Sequence, residues 1–324
     1  MGVVYVTSQN RGAGKTMVAM ALAGIASGDQ GSVSLVRIGA DGHTGSEVGI
    51  TSGLENVRIT TLHSNELSEV AKTVDEESSN SSLVIVDSSS DMSISGHVEI
   101  AKTTGSQVLV VSDFKDNDSS LAYAQKFEGN ILGILINCLT LYGRREAENK
   151  IVPSFQKAGI NVLGLIPEDR TLLSLTVGQI SELLGARFFI GSEYSDRLVE
   201  NFMVGGFGMD PGEFLFSTKD RKAVIVRGDR PDVQMSALQT DMQCFILTRG
   251  LEPIEYVKYE CEEEEVAAVI VDTNTIETME AVGSLQQHAR FDHLEKLYKA
   301  KKLLTDAVDV KIITGYYHRF DSVA

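Results

Sequence analysis

Short runs of consecutive apolar residues alternate with stretches of helical periodicity through the first half of the chain. The runs predict strands and the stretches between them predict helices. The strands are Val3–Thr7, Ser34–Ile38, Leu83–Asp87, Val108–Ser112, Ile131–Asn137 and Val162–Ile166, and the helices are Lys15–Ala26, Glu66–Ser78, Leu121–Lys126 and Arg144–Lys157. Continuous Val, Ile and Leu strands separated by helices are typical of parallel sheets covered on both faces. The first half is therefore predicted to be an α/β domain.

The alternation restarts after the polar segment Pro167-Glu168-Asp169-Arg170. This second half is predicted to contain strands at Phe188–Ile190, Asn201–Val204, Ala223–Val226, Cys244–Leu247 and Val266–Val271, and helices at Val177–Leu184, Pro231–Leu238, Pro253–Tyr259, Thr275–Leu285 and Leu294–Leu304. We therefore expect a first α/β domain over residues 1–172, a smaller α/β domain over 173–290 and a C-terminal helical tail over 291–324.

A glycine-rich loop joins the first predicted strand to the first predicted helix. It reads Ser8-Gln9-Asn10-Arg11-Gly12-Ala13-Gly14-Lys15-Thr16, with Gln9 where the general phosphate-loop pattern has a glycine. Gly12, Ala13 and Gly14 let the backbone approach phosphate oxygens, and the amides at the start of the helix point at the anion. Lys15 is predicted to reach the β- and γ-phosphates and Thr16 to coordinate Mg²⁺. The loop predicts a nucleotide site.

Polar residues end three of the other predicted strands of this half. Ligands of parallel sheets bind beyond the carboxyl ends of the strands, where these side chains are expected. Asp87 is predicted to hold Mg²⁺ or its water, with Asp91 as an alternative ligand. Arg37 is predicted to lean over the phosphates, with a surface salt bridge as the alternative, and Asn137 is predicted to pair with the edge of a purine.

Three strand ends of the second half also carry polar, glycine-containing loops. If the strands are parallel, these loops meet at one edge of the sheet and form a candidate site for a small anion or an acidic partner. The candidate residues are Arg227, Asp229, Arg230, Thr248, Arg249, Gly250 and Thr273. The alternative interpretation is that the glycines make turns and that Thr273 or Thr275 caps a helix.

The composition narrows the choice of partners and of compartment. The chain has 324 residues and a net charge of −16, which disfavours DNA or RNA as its main partner because an acidic surface repels phosphate backbones. It has neither an apolar stretch of membrane-spanning length nor a signal peptide, so we expect a cytoplasmic protein without a membrane partner. The three cysteines show no metal-binding spacing and are expected to be reduced thiols.

The predicted site residues carry a resemblance to a known family. Ser8–Thr16 and the strand ends at Arg37, Asp87 and Asn137 resemble the dethiobiotin synthetase and cobyrinic-acid amidating family of P-loop proteins. The second half resembles the DRTGG domain in three segments, which are residues 176–186, 227–232 and 247–253. In this order, from Val3 to about Ile313, the two parts resemble the N-terminal regulatory region of long phosphate acetyltransferases.

This resemblance implies a fold, a set of ligands and a role. The fold is a dethiobiotin synthetase-like P-loop domain followed by a smaller α/β DRTGG-like domain. The nucleotide is ATP, or another purine nucleotide, with Mg²⁺. The DRTGG-like part implies effector binding and homo-oligomer formation. The acetyltransferase catalytic domain is missing from the sequence, so acyl transfer is not implied.

Departures from the family pattern limit what can be carried over. Dethiobiotin synthetases have a Glu-Gly-Ala-Gly-like segment where this chain has Asp87-Ser88-Ser89-Ser90-Asp91, and a lysine where it has Arg37. Their substrate residues therefore do not transfer. Thr248-Arg249-Gly250 stands where many DRTGG relatives have Thr-Gly-Gly.

Three functional hypotheses follow from the sequence. The leading one is an ATP- and Mg²⁺-binding regulatory or sensor protein. The second is an enzyme, either a weak ATPase or an ATP-dependent ligase that activates a carboxylate, with catalytic residues that the sequence does not identify. The third is a non-catalytic subunit, with a vestigial P-loop, that packs against a separate acyltransferase.

Overall fold

The computed structural model describes residues 2–29, 31–39, 48–206 and 212–315. These residues fall into two compact units. The first takes in the chain up to Asp169 together with the residues from Phe291 onward, and the second is Arg170–Arg290. The segment that the sequence analysis treats as a separate tail therefore groups with the first unit.

The first unit is built on a parallel sheet of seven strands, in the order β3-β2-β4-β1-β5-β6-β7. The strands are β1 (Gly2–Thr7), β2 (Val33–Ile38), β3 (Val57–Leu62), β4 (Leu83–Asp87), β5 (Gln107–Asp113), β6 (Ile131–Leu139) and β7 (Val162–Pro167). The central strands are almost entirely buried, as expected for apolar runs covered on both faces. This confirms the predicted P-loop-type α/β fold.

Helices follow most of these strands and cover the sheet. Before the second unit they are α1 (Lys15–Asp29), α2 (Val48–Thr51), α3 (Leu67–Asn80), α4 (Ile94–Thr103), α5 (Asn117–Ala124), α6 (Arg144–Glu146) and α7 (Val152–Lys157). The helix predicted over Arg144–Lys157 is interrupted by a π-helical turn at Ala147–Ile151. Short 3₁₀ turns lie at Ser52–Leu54, Phe114–Asp116 and Gln125–Phe127.

The second unit contains a five-stranded sheet in the order β11-β12-β13-β14-β9 and a two-stranded ribbon of β10 and β8. Its strands are β8 (Leu175–Thr176), β9 (Arg187–Ile190), β10 (Leu198–Val199), β11 (Asn201–Val204), β12 (Lys222–Arg227), β13 (Met242–Thr248) and β14 (Ala267–Ile270). Its helices are α8 (Val177–Leu183), α9 (Gly212–Phe216), α10 (Pro231–Leu238), α11 (Glu255–Glu263) and α12 (Thr275–Leu285). Within the sheet, β11 to β14 are parallel and β9 is antiparallel to β14.

Two further helices, α13 (Leu294–Ala307) and α14 (Val310–Thr314), belong to the first unit. α13 packs against α1, where Lys301 approaches Gly24, and its Leu294 and Leu297 approach Gly53. The helix that follows the second unit in the chain is therefore in contact with the helix that begins at Lys15. Within the described residues, no helix combines the length and the apolar character needed to cross a membrane.

Candidate nucleotide site

The loop between β1 and α1 has the backbone that a phosphate site requires. Gly12 and Gly14 have φ angles of +80° and +92°, in the left-handed region that glycine tolerates best. Gly14 also accepts, at its carbonyl, a 3.0 Å hydrogen bond from the amide of Val18, so the first turn of α1 begins there. The first N–H groups of a helix have no intrahelical partners, and a phosphate is a suitable acceptor for them.

Asp87 lies at the carboxyl end of β4 and is nearly inaccessible to solvent. Its carboxylate accepts a 3.3 Å hydrogen bond from the Thr16 hydroxyl. Its other oxygen lies 3.6 Å from Nε of Arg37, which occupies the neighbouring position on β2. The structure thus brings Thr16, Arg37 and Asp87 together as one group, with the guanidinium of Arg37 turned toward the carboxylate.

Burial shifts the pKa values of the two central charges in opposite directions. It raises the pKa of Asp87, and the nearby charges of Lys15 and Arg37 partly offset that rise. It lowers the pKa of Lys15, and Asp87 and Asp91 oppose that change. Both shifts disfavour the charged forms of Asp87 and Lys15, because water solvates these groups only in part. A phosphate that binds at Lys15, or a metal ion that binds at Asp87, would therefore meet a charge that is poorly solvated.

A second pair of contacts joins the phosphate loop to the segment after β4. The ammonium of Lys15 donates a 2.7 Å hydrogen bond to Oγ of Ser90. Arg11 forms an ion pair with Asp91. Both cations of the loop therefore contact consecutive residues of one short segment between β4 and α4.

Asn137 contacts the loop from the side of β6. Its Nδ2 donates a 2.9 Å hydrogen bond to the carbonyl oxygen of Ala13, and the residue is only 5% exposed. The amide that the sequence analysis assigns to a purine edge is thus directed at the loop backbone. Pairing with a base stays a prediction, because an amide group offers further donors and acceptors.

A buried polar pair lies beneath the loop. The phenol of Tyr5 in β1 lies 2.7 Å from Nδ1 of His97 in α4, and both residues are almost inaccessible. Burial, reinforced by the charge of Lys15, lowers the pKa of His97 to about 4, so the imidazole is neutral near pH 7. The pair joins α4 to β1 below the segment that carries Ser90.

Thr16 and Asp87 fit the demands of Mg²⁺ beside a nucleotide. Mg²⁺ commonly takes one or two protein oxygens and completes its octahedron with phosphate oxygens and waters. In the described residues no cluster of three or more His, Cys, Asp or Glu side chains is arranged to hold a metal. A metal here would therefore depend on the nucleotide for most of its ligands.

A concavity of about 620 Å³ borders the carboxyl ends of β6 and β7. It is lined by Leu139 at the end of β6, by Thr140 and Leu141 just after it, by Glu168 after β7, and by Leu303, Asp306 and Ala307 at the end of α13. Leu139 lies two positions after Asn137, and the lining mixes apolar and polar side chains, as ligand sites do. A larger concavity, of about 760 Å³, lies at the opposite, amino-terminal ends of β6 and β7 and does not border the loop.

In the second unit, the loops after β12, β13 and β14 meet. A Cβ atom on Gly228 would lie 2.0 Å from the carbonyl oxygen of Leu251, and the amide of Arg249 donates a 2.9 Å hydrogen bond to the carbonyl of Thr273. Arg249 and Gly250 both have positive φ angles, of +69° and +66°.

The arginines of these loops contact nearby aspartates. Arg227 binds Asp229 through two nitrogens, and its hydrogen bonds lower the pKa of that carboxyl. Arg230 binds Asp232 in the same bidentate way, at 2.9 and 2.8 Å. An anion at this edge would have to displace these carboxylates.

The threonines at this edge make hydroxyl contacts with neighbouring threonines. Thr248 is fully buried, and its hydroxyl lies 3.1 Å from that of Thr275. The hydroxyl of Thr273 lies 2.8 Å from that of Thr278. These pairs join β13 and the loop after β14 to α12. The helix cap itself is Asn274, which accepts hydrogen bonds from the amides of Ile276 and Glu277.

Comparison with known proteins identifies the second unit. Residues 179–285 match the DRTGG domain family. The chain therefore carries a DRTGG domain after its P-loop-type domain, as the sequence predicts. A 155-residue stretch, 45% of this chain, is 27% identical to a phosphate acetyltransferase of Nitratidesulfovibrio vulgaris. That stretch covers 22% of the relative's length, about a fifth of it.

Solved structures resemble parts of the chain weakly. The MinC:MinD cell division complex of Aquifex aeolicus aligns with 53% of this chain and 84% of its own, at 18% identity and a TM-score of 0.41. The CBS and DRTGG domains of a Clostridium perfringens pyrophosphatase, solved with diadenosine tetraphosphate, align with 45% of this chain and 70% of their own, at 12% identity and a TM-score of 0.30. Likenesses at this level carry no conclusion about the ligands of this chain.

Two residues of the site, Arg11 and Ser90, were not predicted from the sequence. Arg11 and Ser90 contact Asp91 and Lys15, respectively. Both could have been proposed as site residues from the sequence, because Arg11 lies inside the glycine-rich loop and Ser90 lies three residues beyond the strand end at Asp87. What the sequence does not reveal is that the chain turns back after β4 far enough for Ser90 to contact Lys15.

Proposed function

We propose that this protein binds ATP with Mg²⁺ at the loop 8–16 and that nucleotide binding regulates the activity of a partner. The observation that carries the proposal is the group formed by Lys15, Thr16 and Asp87. A lysine and a threonine at the start of a helix face a buried carboxylate at the end of the adjacent strand. This arrangement presents a cation to phosphates and two oxygens to a metal.

Each part of the loop has a separate task in this proposal. Gly12 and Gly14 bring the backbone to the phosphates, and Lys15 keeps one ammonium N–H on Ser90 and directs its remaining donors at the β- and γ-phosphates. The oxygens of Thr16 and Asp87 hold the metal directly or through water. Arg37 stays on Asp87 and keeps that carboxylate ionised despite its burial, since an adjacent cation favours the charged form.

The base and ribose are proposed to extend toward the concavity beyond β6 and β7. Residues 139–141 and Glu168 line that space, and Asn137 lies two positions before Leu139 in β6. The preference for ATP over GTP rests on the family resemblance alone.

The regulatory role rests on the domain composition. A DRTGG domain follows the nucleotide domain, and part of the chain is similar to a phosphate acetyltransferase. We propose that the partner is a separate acyltransferase subunit, that the chain forms homo-oligomers, and that a small anionic effector binds at the loops around Arg227 and Arg249. The chain continues from the second unit into α13 of the first unit, and α13 packs on α1, the helix that begins at the phosphate loop.

A thermal-shift experiment tests the nucleotide part. ATP with Mg²⁺ is expected to raise the unfolding temperature of the wild type, since a ligand that binds only the folded state stabilises it. The variant Lys15→Ala should lose the shift, and Lys102→Ala, an exposed lysine of α4, should retain it. An equal shift in Lys15→Ala would contradict the assignment of the site.

Hydrogen exchange tests the regulatory part separately. ATP is expected to change the protection of amides in residues 170–290 and in α13 as well as in the loop 8–16. Protection confined to the loop and α1 would leave nucleotide binding intact but would contradict the proposed coupling to the DRTGG domain.

A further inference from the structure

Three consecutive serines follow Asp87, and the structure gives them different surroundings. Ser88 and Ser89 are buried, each only 2% exposed, whereas Ser90 is open to solvent. The hydroxyl of Ser89 accepts a hydrogen bond from the amide of Asp91 and closes a local turn. Ser90 is therefore the serine of this run whose hydroxyl is available to a bound molecule.

The position of the Ser90 hydroxyl is fixed by the phosphate loop. Its Oγ lies 2.7 Å from Nζ of Lys15, the atom assigned to the β- and γ-phosphates. If the ammonium of Lys15 also donates to the γ-phosphate, the Ser90 hydroxyl and the γ-phosphate lie within a few ångströms of each other. Proximity of this kind is a large part of the rate gain in phosphoryl transfer, because the chemistry needs positioning and charge neutralisation above all.

The segment that carries Ser90 is anchored at both ends. At one end Asp87 is fixed by Thr16 and Arg37, and at the other His97 contacts the phenol of Tyr5. Between these anchors, Asp91 forms an ion pair with Arg11. The serine is thus presented to the loop by a short, constrained stretch of chain.

Other hydroxyls near the loop are engaged elsewhere. Thr16 donates to Asp87 and is assigned to the metal, and the hydroxyl of Ser8 donates a 2.9 Å hydrogen bond to the carbonyl of Asn10. Neither contacts Lys15 through its side chain in the described hydrogen bonds.

We propose that Ser90 is an acceptor of the γ-phosphoryl group of the nucleoside triphosphate bound in the same chain. The inference rests on the proposed function, since it needs a triphosphate at the loop. Ser90 Oγ forms a bond to the γ-phosphorus while the bond from that phosphorus to the β,γ-bridging oxygen breaks, and the nucleoside diphosphate leaves. The hydroxyl proton passes to solvent, which reaches the exposed Ser90. The product is a phosphoserine.

The phosphoserine would prevent a further nucleotide from binding at the loop 8–16. A phosphoserine at this position lies beside Lys15 and Arg11, and its oxygens form charge-assisted hydrogen bonds with such cations. It thereby takes the place of the terminal phosphates of a new triphosphate. The reaction is a single event per chain that converts a nucleotide-binding form into a form with low nucleotide affinity.

The experiment incubates the full chain with Mg²⁺ and ATP labelled at the γ-phosphate and then maps the label by mass spectrometry. Label at Ser90 is expected in the wild type and in Ser95→Ala, an exposed serine at the start of α4. Ser90→Ala should take up no label while its binding of ATP stays measurable. Binding of ATP by the wild type with no label at Ser90 would overturn the inference and leave the proposed function standing. No binding at all would overturn the proposed function.

Two additional measurements test whether the transfer occurs within one chain and whether the product has low nucleotide affinity. A mixture of Lys15→Ala, which keeps the acceptor, with Ser90→Ala, which keeps the loop, should remain unlabelled, and label on Lys15→Ala would contradict transfer within one chain. The variant Ser90→Asp should bind ATP about tenfold or more weakly than the wild type, because a carboxylate beside Lys15 competes with phosphate. Unchanged affinity in Ser90→Asp would contradict the closed product state.

Discussion

Gly14 and Asn137 are in direct contact, although 123 positions separate them in the sequence. A Cβ atom on Gly14 would lie 2.3 Å from Nδ2 of Asn137, and that same nitrogen donates to the carbonyl of Ala13. The phosphate loop is thus supported from the side by β6. Glycine at position 14 is required both by its φ angle and by this close approach.

This contact predicts different effects for two substitutions of the same kind. Gly12→Ala meets open space and only the strain of its φ angle, which costs about 1–2 kcal/mol. Gly14→Ala adds a clash with Asn137, so it should lose ATP affinity by more than tenfold relative to Gly12→Ala. Calorimetric titration of both variants measures the difference. The double variant Gly14→Ala/Asn137→Ala should recover part of the affinity for ATP. If the two single substitutions change the free energy of binding additively, the direct contact would be contradicted.

Asp87 predicts how binding depends on Mg²⁺ and on pH. In Asp87→Asn, the affinity for ATP with Mg²⁺ should fall to that for ATP alone, because the neutral amide is a poor ligand for this cation. In the wild type, burial raises the pKa of Asp87 above its ordinary 3.8. The Mg²⁺-dependent part of binding should therefore disappear as the pH falls through this raised pKa. A Mg²⁺ response that persists unchanged in Asp87→Asn would exclude this residue from the metal site.

Arg249 predicts a stabilising substitution in the DRTGG domain. Its φ of +69° is left-handed, a strained conformation for a residue with a side chain. Replacing it with glycine should raise the free energy of unfolding by up to about 1 kcal/mol, the relief of strain being partly offset by the flexibility of glycine in the unfolded chain. Arg187→Gly, at the first residue of β9, should instead destabilise the protein because it also removes an ion pair with Glu252. Denaturant unfolding of the two variants checks the sign, and a loss of stability in Arg249→Gly would contradict the strain.

Lys296 predicts a pH-dependent difference in stability. It is fully buried in α13 beside Asp292, and burial lowers its pKa from 10.5 to about 8. Because the unfolded chain keeps the proton that the folded chain loses between these values, folding stability should rise with pH across this window. The rise is at most about 3–4 kcal/mol, from a shift of about 2.5 pH units at about 1.4 kcal/mol each.

The variant Lys296→Met isolates this contribution. Between pH 8 and 10.5, the unfolding free energy of the wild type should rise relative to that of Lys296→Met. Lys302→Met, at an exposed lysine of the same helix, should show a constant difference. A constant difference in Lys296→Met as well would mean that Lys296 titrates normally in the folded protein.

The continuous apolar strands of both units were predictable from sequence, because their pattern is set by burial on two faces. Several elements of the first unit were not, among them the short helices α2 and α14, the strand β3 and the helix α4. The edge strand β3 alternates apolar and polar residues, as in Val57–Leu62, and is only partly buried, so it lacks a continuous apolar run. The helix α4 begins at a Ser93 cap, and its Ile94, Val98 and Ala101 have helical spacing, but Ser95 and Gly96 in its first turn are more typical of a loop.

The residues of the candidate site could be predicted from the sequence only where a short motif or the end of a strand identifies them. Lys15, Thr16 and the two glycines follow from one short motif, and Asp87 follows from the end of a strand. The partners of Arg37 and Asn137 depend on which strands are neighbours, and strand order is a long-range property. For Arg37 the sequence left a role at the phosphates and a surface salt bridge as alternatives, and the structure places its Nε 3.6 Å from the buried carboxylate of Asp87, its neighbour across the sheet.

Binding of ATP at Lys15 underlies every other proposal for this protein. The decisive experiment is isothermal titration of the purified protein with ATP, with and without Mg²⁺, beside Lys15→Ala. We expect Mg²⁺-dependent binding of micromolar affinity, about −8 kcal/mol, that is lost in Lys15→Ala. Absence of binding in the wild type, or equal binding in the variant, would contradict it.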